Sequence, residues 1–405
     1  MSMENVVIVG GGPAGTAAAV SLRTGGFTGG VTVVRSEAEL PYNRTTVNKG
    51  ILTGVATADS VALPEVTDLD VEWLEPDPAV RLDAGNRTLQ LASGRQLDYS
   101  ALIISTGAHP RPASFAPPTS TPGYFELRNL PDALRLRQRV AERPATVLII
   151  GAGLIGVETA GILAAAGCSV TLSDPSPLPM QARFGRNIAR WIESSHGDHQ
   201  VRLRTGVRAL SVTAGGTGLL TAFDDGGECV ADVVISSIGV TPTTDWLADS
   251  SLTLEDGIVV DQDLRALGVQ GVYAAGDVAR IRGIGTDARL EHWGAAISQG
   301  RIAARSALED LLGPLEAAGG VVELVPSYSS YVHGTKMTVI GNGRNHTRDV
   351  LVHGSPDDER YTVALLDAED RILAAIGVGG ARVVNRLKPA VQGRLLLDEA
   401  LDLVP

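Results

Sequence analysis

Short apolar runs that end in glycine and lead into stretches of small residues recur along the 405-residue chain. Residues 6–9 form a β-branched run ending in glycines, and the small-residue stretch from Pro13 to about Arg23 has a helical pattern. Residues 31–34 read as a second strand, which completes a βαβ unit. A further buried strand is expected at 101–105, ending at Thr106-Gly107, and the five prolines between His109 and Gly123 mark a linker. From Thr146 the pattern begins again: a strand at 147–150, glycines, a helix to about Ala166, and a strand at 169–172. This internal repeat of one supersecondary unit predicts an α/β protein with two domains of the same kind. Later strands are expected at 233–236, 258–260 and 272–275, the last ending at Gly276-Asp277, and a long helix at about 291–312. The stretch 313–326 reads as a second linker, and 327–405 as a smaller α+β domain with at least two strands, at 337–340 and 361–366. The expected division is thus 1–112 with 247–320, then 113–246, then 321–405.

Composition narrows the function. Apolar residues make up 44% of the chain, enough for sizeable cores, while aromatics are 4% and glycines number 47. A formal charge of −12 argues against non-specific nucleic-acid binding. The two cysteines, Cys168 and Cys229, are far apart and outside any CxxC spacing, as expected of a reducing compartment. No run of about 18 apolar residues suggests a membrane span. The N-terminus enters a strand without a basic region or cleavage site, so the cytoplasm is the default expectation.

Two glycine-rich turns carry the chemistry. Gly10-Gly-Gly12-Pro13-Ala14-Gly15 matches GxGxxG between strand and helix. In such a turn the first glycine permits the bend and the second lets a pyrophosphate approach the backbone. The third allows helix and strand to pack closely, and the helix N-terminus favours the phosphate charge. Glu37 lies just past the second strand, where an acid can hydrogen-bond an adenosine ribose. Gly151-Ala-Gly153-Leu154-Ile155-Gly156 is the second copy, with Asp174 as its acid. An acid there accepts from both ribose hydroxyls and repels a 2′-phosphate, which favours NADH over NADPH. Two dinucleotide sites in one chain suggest one bound flavin and one exchanging nicotinamide cofactor.

The Thr106-Gly107 and Gly276-Asp277 turns resemble motifs of the flavoprotein disulfide-reductase fold, in which the aspartate hydrogen-bonds the FAD ribityl chain. The fold so implied is two Rossmann-like dinucleotide-binding domains of the glutathione-reductase-like, three-layer ββα type, plus the small C-terminal domain. The first domain would bind FAD and the middle one NAD(H). Thiol chemistry is disfavoured, because 40–49 contains no sulfur. That segment instead resembles the Pro-Tyr-x-Arg-Pro-Pro-Leu-Ser-Lys signature of the ferredoxin and rubredoxin reductases that serve bacterial oxygenases, which apoptosis-inducing factors share. Pro41, Tyr42, Arg44 and Lys49 match it, whereas Thr45, Thr46, Val47 and Asn48 depart from it. The resemblance continues through Gly156-Val-Glu158, Ile238-Gly239-Val-Thr-Pro242, 257–261 and Arg289-Leu-Glu291-His292-Trp293, covering about 1–310. It thins at Tyr328-Ser-Ser-Tyr-Val-His333, where the family has Phe-Trp-Ser-Asp-Gln-Tyr.

The resemblance implies that Lys49 sits near flavin N5 and pairs with Glu158, a cation stabilising electron density that arrives on the ring. Arg44 would contact FAD phosphate or ring, and Glu291, His292 and Trp293 would line the cofactor, with Trp293 as a packing wall or near the electron exit. It implies an NADH-dependent reductase that passes single electrons to a [2Fe-2S] ferredoxin feeding an oxygenase such as a cytochrome P450. Arg371, Arg382, Arg386, Lys388 and Arg394 fall in a stretch without acids and offer a basic landing patch or merely a solvated face, and Arg301 and Arg305 are rival contacts. An alternative stays open: an NADH oxidoreductase acting on a small molecule, or a redox-sensing flavoprotein without a ferredoxin partner. The seven histidines show no metal spacing, and His196 and His199 are expected in a polar, solvated loop.

Overall fold

A computed structural model describes residues 4–39, 41–63, 69–141, 145–216, 218–283, 288–314 and 325–404. Most of the expected linker at 313–326 lies outside these residues. The chain divides into two compact units: Met1–Asn43 with Asp59–His109 and Val240–Leu324, and Arg44–Ala58 with Pro110–Gly239 and Val325–Pro405.

The first unit is built on a five-stranded parallel sheet in the order Val272–Ala274, Ala101–Ile104, Asn5–Val9, Gly30–Val34, Glu72–Trp73. Val6, Val7 and Ile8 are fully buried, as a central parallel strand covered on both faces requires. The order reverses at Asn5–Val9, and the C-terminal end of the strand at such a switch point is where ligands bind in open α/β sheets. Gly10 occupies that end. The helix Pro13–Thr24 leaves it with Ala14, Gly15, Ala18 and Ala19 buried. These small side chains let the helix Trp293–Leu312 approach so closely that a Cβ on Gly300 would collide with the Ala14 carbonyl.

The second unit repeats the plan: a parallel sheet ordered Arg202–Thr205, Ser169–Asp174, Thr146–Ile150, Val233–Ser236, Tyr124–Glu126. Each half also carries a three-stranded antiparallel meander just before the strand that crosses back beside the first. These are Ala79–Asp83, Thr88–Leu91 and Gln96–Asp98 in one, and Ala209–Gly215, Gly218–Phe223 and Glu228–Ala231 in the other. The C-terminal part is a five-stranded antiparallel sheet that includes the two strands located in the pattern. Its order is Ser327–Val332, Thr335–Gly341, Ile372–Val378, Tyr361–Leu366, Arg348–His353. Val384, Leu387 and Ala390 of the helix Arg382–Gly393 close its core.

Candidate functional site

Gly10 takes φ +116°, a conformation that strains any residue with a Cβ, and its N–H donates to the Val34 carbonyl at 2.8 Å. A Cβ on Gly10 would run into the Ser105 carbonyl, and one on Gly15 into the Gly10 carbonyl. Gly12 differs, because no atom of the described residues lies within 4 Å of where its Cβ would stand. Packing within the unit therefore does not demand glycine there. The bare backbone opens the helix Pro13–Thr24, whose start has no side-chain cap, and open N–H groups with the helix dipole favour an anion. The second turn reproduces each feature. Gly151 has φ +106° and donates to Ser173 at 2.8 Å. Cβ atoms on Gly151 and Gly156 would strike the Ser237 and Gly151 carbonyls, whereas Gly153 has only the Ser237 carbonyl oxygen at 3.9 Å. Its helix, Leu154–Ala165, also starts uncapped. Both cradles thus fit a pyrophosphate.

Ser105 and Ser237 complete the repeat. Their N–H groups donate to the Val9 and Ile150 carbonyls, each at 2.7 Å, and Ser105 Oγ donates to the Gly10 carbonyl at 2.9 Å. The sequence reading passed over both, although a shared Ser-x-Gly signal was present in Ser105-Thr-Gly107 and Ser237-Ile-Gly239. Gly107 and Gly239 both take positive φ, +67° and +101°.

The two acids are not equivalent. Since Gly10 bonds Val34 and Gly151 bonds Ser173, the position matching Asp174 is Arg35, and Glu37 lies two residues beyond. Asp174 is tied into its own turn: Oδ2 accepts from Ala152 N at 2.7 Å and Oδ1 from Ser176 N at 2.8 Å. Arg35 is buried and donates to the Leu74 carbonyl at 2.8 Å and to the carbonyls of Glu37, Ala38 and Glu39 at 3.2, 2.8 and 3.2 Å. It thereby shapes the loop that carries Glu37, whose Oε2 accepts from the Tyr42 hydroxyl at 2.8 Å.

The remaining first-unit candidates gather near Gly10. Thr106 Oγ1 donates to the Thr243 carbonyl at 3.0 Å. A Cβ on Gly276 would lie 3.2 Å from the Ala14 Cβ, so the Gly276-Asp277 turn sits against the start of the first helix. Arg289, buried, binds the Asp277 carbonyl at 3.1 Å and the Glu291 carboxylate at 2.8 Å. His292 precedes the helix that Trp293 begins, and both are half-buried. Gln299 accepts from Gly276 N at 2.7 Å, yet its buried Nε2 has no acceptor among the described residues. A buried donor left over beside the Asp277 turn suits a polar ligand.

In the second unit, Lys49 and Glu158 do meet. Lys49 Nζ lies 2.7 Å from Glu158 Oε2, with the lysine side chain 32% exposed and the glutamate 5%. Lys49 sits in a single wide π-turn, Val47–Ile51, and Glu158 on the helix Leu154–Ala165. Such turns are frequent at functional sites. Asn48 and the strand Ser327–Val332 also reach the carboxylate, contacts that the sequence reading missed. Arg44 Nη1 donates to the Arg128 carbonyl at 3.4 Å.

The family pattern described as pyridine nucleotide-disulphide oxidoreductase matches residues 4–300, which include both glycine turns, Lys49 and Glu158. The chain belongs to that family. Over 403 residues it is 30% identical to the ferredoxin–NAD(+) reductase component of the p-cumate 2,3-dioxygenase system of Pseudomonas putida, covering 98% of this chain and 95% of the relative. Rhodocoxin reductase of Rhodococcus erythropolis is 29% identical, with 99% and 91% covered. Among solved structures, putidaredoxin reductase in its covalent complex with putidaredoxin superposes with a TM-score of 0.89 at 26% identity, covering 98% of this chain and 95% of that one.

Within this oxidoreductase family member, several expectations need correcting. His196 is not in a solvated loop, whereas His199, just past the end of a helix, is exposed. The helix Gln181–Asp198 runs through that segment, His196 is fully buried, and its Nδ1 lies 2.8 Å from His333 Nε2, while His199 stacks on His333 at 3.9 Å. The polar letters Ser-Ser-His-Gly-Asp-His hid an amphipathic face whose apolar members, Phe184, Ile188 and Ile192, lie on the preceding turns. No trio of His, Cys, Asp or Glu among the described residues is placed to hold a metal ion. Cys229 lies on the strand Glu228–Ala231, and burial raises its thiol above the usual range. The basic stretch is partly neutralised: Arg394 pairs with Asp367 at 3.0 Å and accepts at its carbonyl from Arg371, while Arg305 pairs with Glu309 at 2.8 Å. Arg386 and Arg301 are exposed. No helix among the described residues is long and apolar enough to cross a membrane.

Proposed function

We propose that this chain is an NADH-dependent ferredoxin reductase, with FAD resident in the fold of segments 1–112 and 247–320 and NADH exchanging in that of 113–246. The observation that carries the reading is the duplicated cradle, in which Gly12 and Gly153 stay bare although no neighbour among the described residues requires it. Gly10, Gly12 and Gly15 would receive the FAD pyrophosphate, with Glu37 on the ribose and Asp277 on the ribityl chain. Gly151, Gly153 and Gly156 would receive that of NADH, and Asp174 its adenosine ribose. Bound FAD supplies the change from two-electron to one-electron transfer. Lys49, whose ammonium Glu158 holds in place, would supply a cation for negative charge arriving on the ring. A [2Fe-2S] ferredoxin as acceptor is supported by the ferredoxin–NAD(+) reductase relatives and by the likeness to putidaredoxin reductase. The test is anaerobic flavin reduction by NADH, followed by cytochrome c turnover with and without an added [2Fe-2S] ferredoxin. Turnover should depend on the ferredoxin. Fast turnover unchanged by ferredoxin would point instead to a self-contained reductase, the reading that the altered segments 45–48 and 328–333 would then favour.

A further inference from the structure

The Glu158 carboxylate is saturated in a way the Lys49 pairing alone does not need. Oε2 accepts from Lys49 Nζ at 2.7 Å and from Asn48 Nδ2 at 2.8 Å. Oε1 accepts from Ser330 Oγ at 2.7 Å and from the Tyr331 N–H at 3.1 Å. Each oxygen thus has two donors, one pair from the π-turn and the other from the first strand of the C-terminal sheet. Asn48 also touches both members of the pair, because its Oδ1 lies 3.3 Å from Lys49 Nζ. Asn48, Ser330 and Glu158 are buried, whereas a third of the lysine side chain stays open. An ammonium has three donors. Glu158 and Asn48 take two, which leaves one N–H and an open face for an acceptor outside this cluster.

We infer that Asn48 and Ser330 are positioning residues for the reductive half-reaction, fixing the Glu158 carboxylate so that Lys49 presents its remaining N–H in one direction. This rests on the role proposed above for Lys49. A buried carboxylate with only a lysine partner could rotate about its terminal torsion and carry the ammonium with it. Four donors from two segments remove that freedom, and hydrogen bonds to charged groups are the strong kind. The arrangement also gives the C-terminal sheet, where the sequence pattern is weakest, a specific role, since its Ser330 hydroxyl and Tyr331 amide set one edge of the carboxylate.

The test uses the full-length holoprotein carrying Asn48→Leu, Asn48→Ser, Ser330→Ala or Ser330→Thr, with Lys49→Ala as reference. Flavin content and thermal unfolding are checked first, and Asn48→Ser stands in wherever a larger change prevents folding. Stopped-flow reduction separates the limiting hydride-transfer rate from the NADH dissociation constant, and the flavin midpoint potential is measured alongside. Asn48→Leu and Ser330→Ala should each lower the limiting rate about tenfold, as expected for one lost hydrogen bond to a charged group. NADH affinity should hold, the potential should shift in the same direction as in Lys49→Ala, and Ser330→Thr should recover most of the rate. Wild-type rates and potentials in both variants, with Lys49→Ala slowed, would overturn the positioning role and leave the role of Lys49 intact. An unslowed Lys49→Ala would overturn the role of Lys49 and the inference with it.

Discussion

The two glycine turns are built alike and finished differently. Each has a first glycine at positive φ under a serine carbonyl, a third glycine pressed on the carbonyl of the first, and a second glycine with open space around it. At the matching register position, however, one has Arg35 and the other Asp174. The arginine points its donors at the Leu74 carbonyl and at the loop to Glu39, so it organises the segment beyond the strand rather than the glycine turn itself. The aspartate binds the amide of Ala152 inside the second turn itself, so its carboxylate braces that turn, and in the proposed NADH site it would also meet the ribose. In the proposed reading the same backbone motif would serve two different dinucleotides, and the side chain at one register position distinguishes the two turns.

The largest effects that would break this comparison come from the glycines. Gly15→Ala and Gly156→Ala force a Cβ onto a backbone carbonyl and should destabilise the protein by about 3 kcal/mol or abolish folding, as read by thermal unfolding. Gly12→Ala and Gly153→Ala should leave the melting temperature nearly unchanged and weaken, respectively, flavin retention and NADH binding. A Gly153→Ala protein that melts early but binds NADH normally would contradict the account. Next comes Arg35→Met, which strands several carbonyls and should cost about 2 kcal/mol and loosen flavin without altering the NADH dissociation constant. Asp174→Asn should narrow the preference for NADH over NADPH about tenfold in kcat/KM. Equal kcat/KM for the two cofactors in the unaltered protein would remove that role.

The smallest effect near neutrality lies in a feature that only the second half carries. Burial lowers the His196 imidazole to about 3 and that of His333 to about 4, with His199 stacked against the latter. Both lie below the value near 6.5 of an unfolded histidine, so the unfolded chain binds more protons at acid pH. The stability tied to them is therefore complete above about pH 6.5 and declines as pH falls toward about 4. His333→Asn should flatten the unfolding profile between about pH 4 and 6.5 while changing little at pH 7. An unchanged slope would show that these imidazoles are not linked to folding.

Much of this was legible in the sequence because glycine turns, buried parallel strands and the Pro-Tyr-x-Arg…Lys segment each report a local constraint. The strands Thr146–Ile150, Ser169–Asp174 and Val233–Ser236 of the second sheet fell within two residues of expectation, whereas its edge strands Tyr124–Glu126 and Arg202–Thr205 did not show in the pattern. What stayed hidden was contact between distant segments. Ser330 and Asn48 meet Glu158 across 172 and 110 positions, and nothing local marks either residue as a donor to it. Nothing local marks Arg35 either, because its partners are backbone carbonyls that carry no letter. The helix through His196 was obscured since the glycine at 185 breaks its first turn with φ +78° and its last turns are polar outside and buried at only one histidine.

Two different dinucleotides in two like cradles are tested most directly by anaerobic titration of the purified holoprotein with NADH, followed at the visible flavin band. One FAD per chain and full bleaching by one equivalent of NADH are expected, with Gly153→Ala raising the NADH concentration required and leaving the flavin content unchanged. A protein without flavin, or a band that NADH leaves untouched, would contradict this reading.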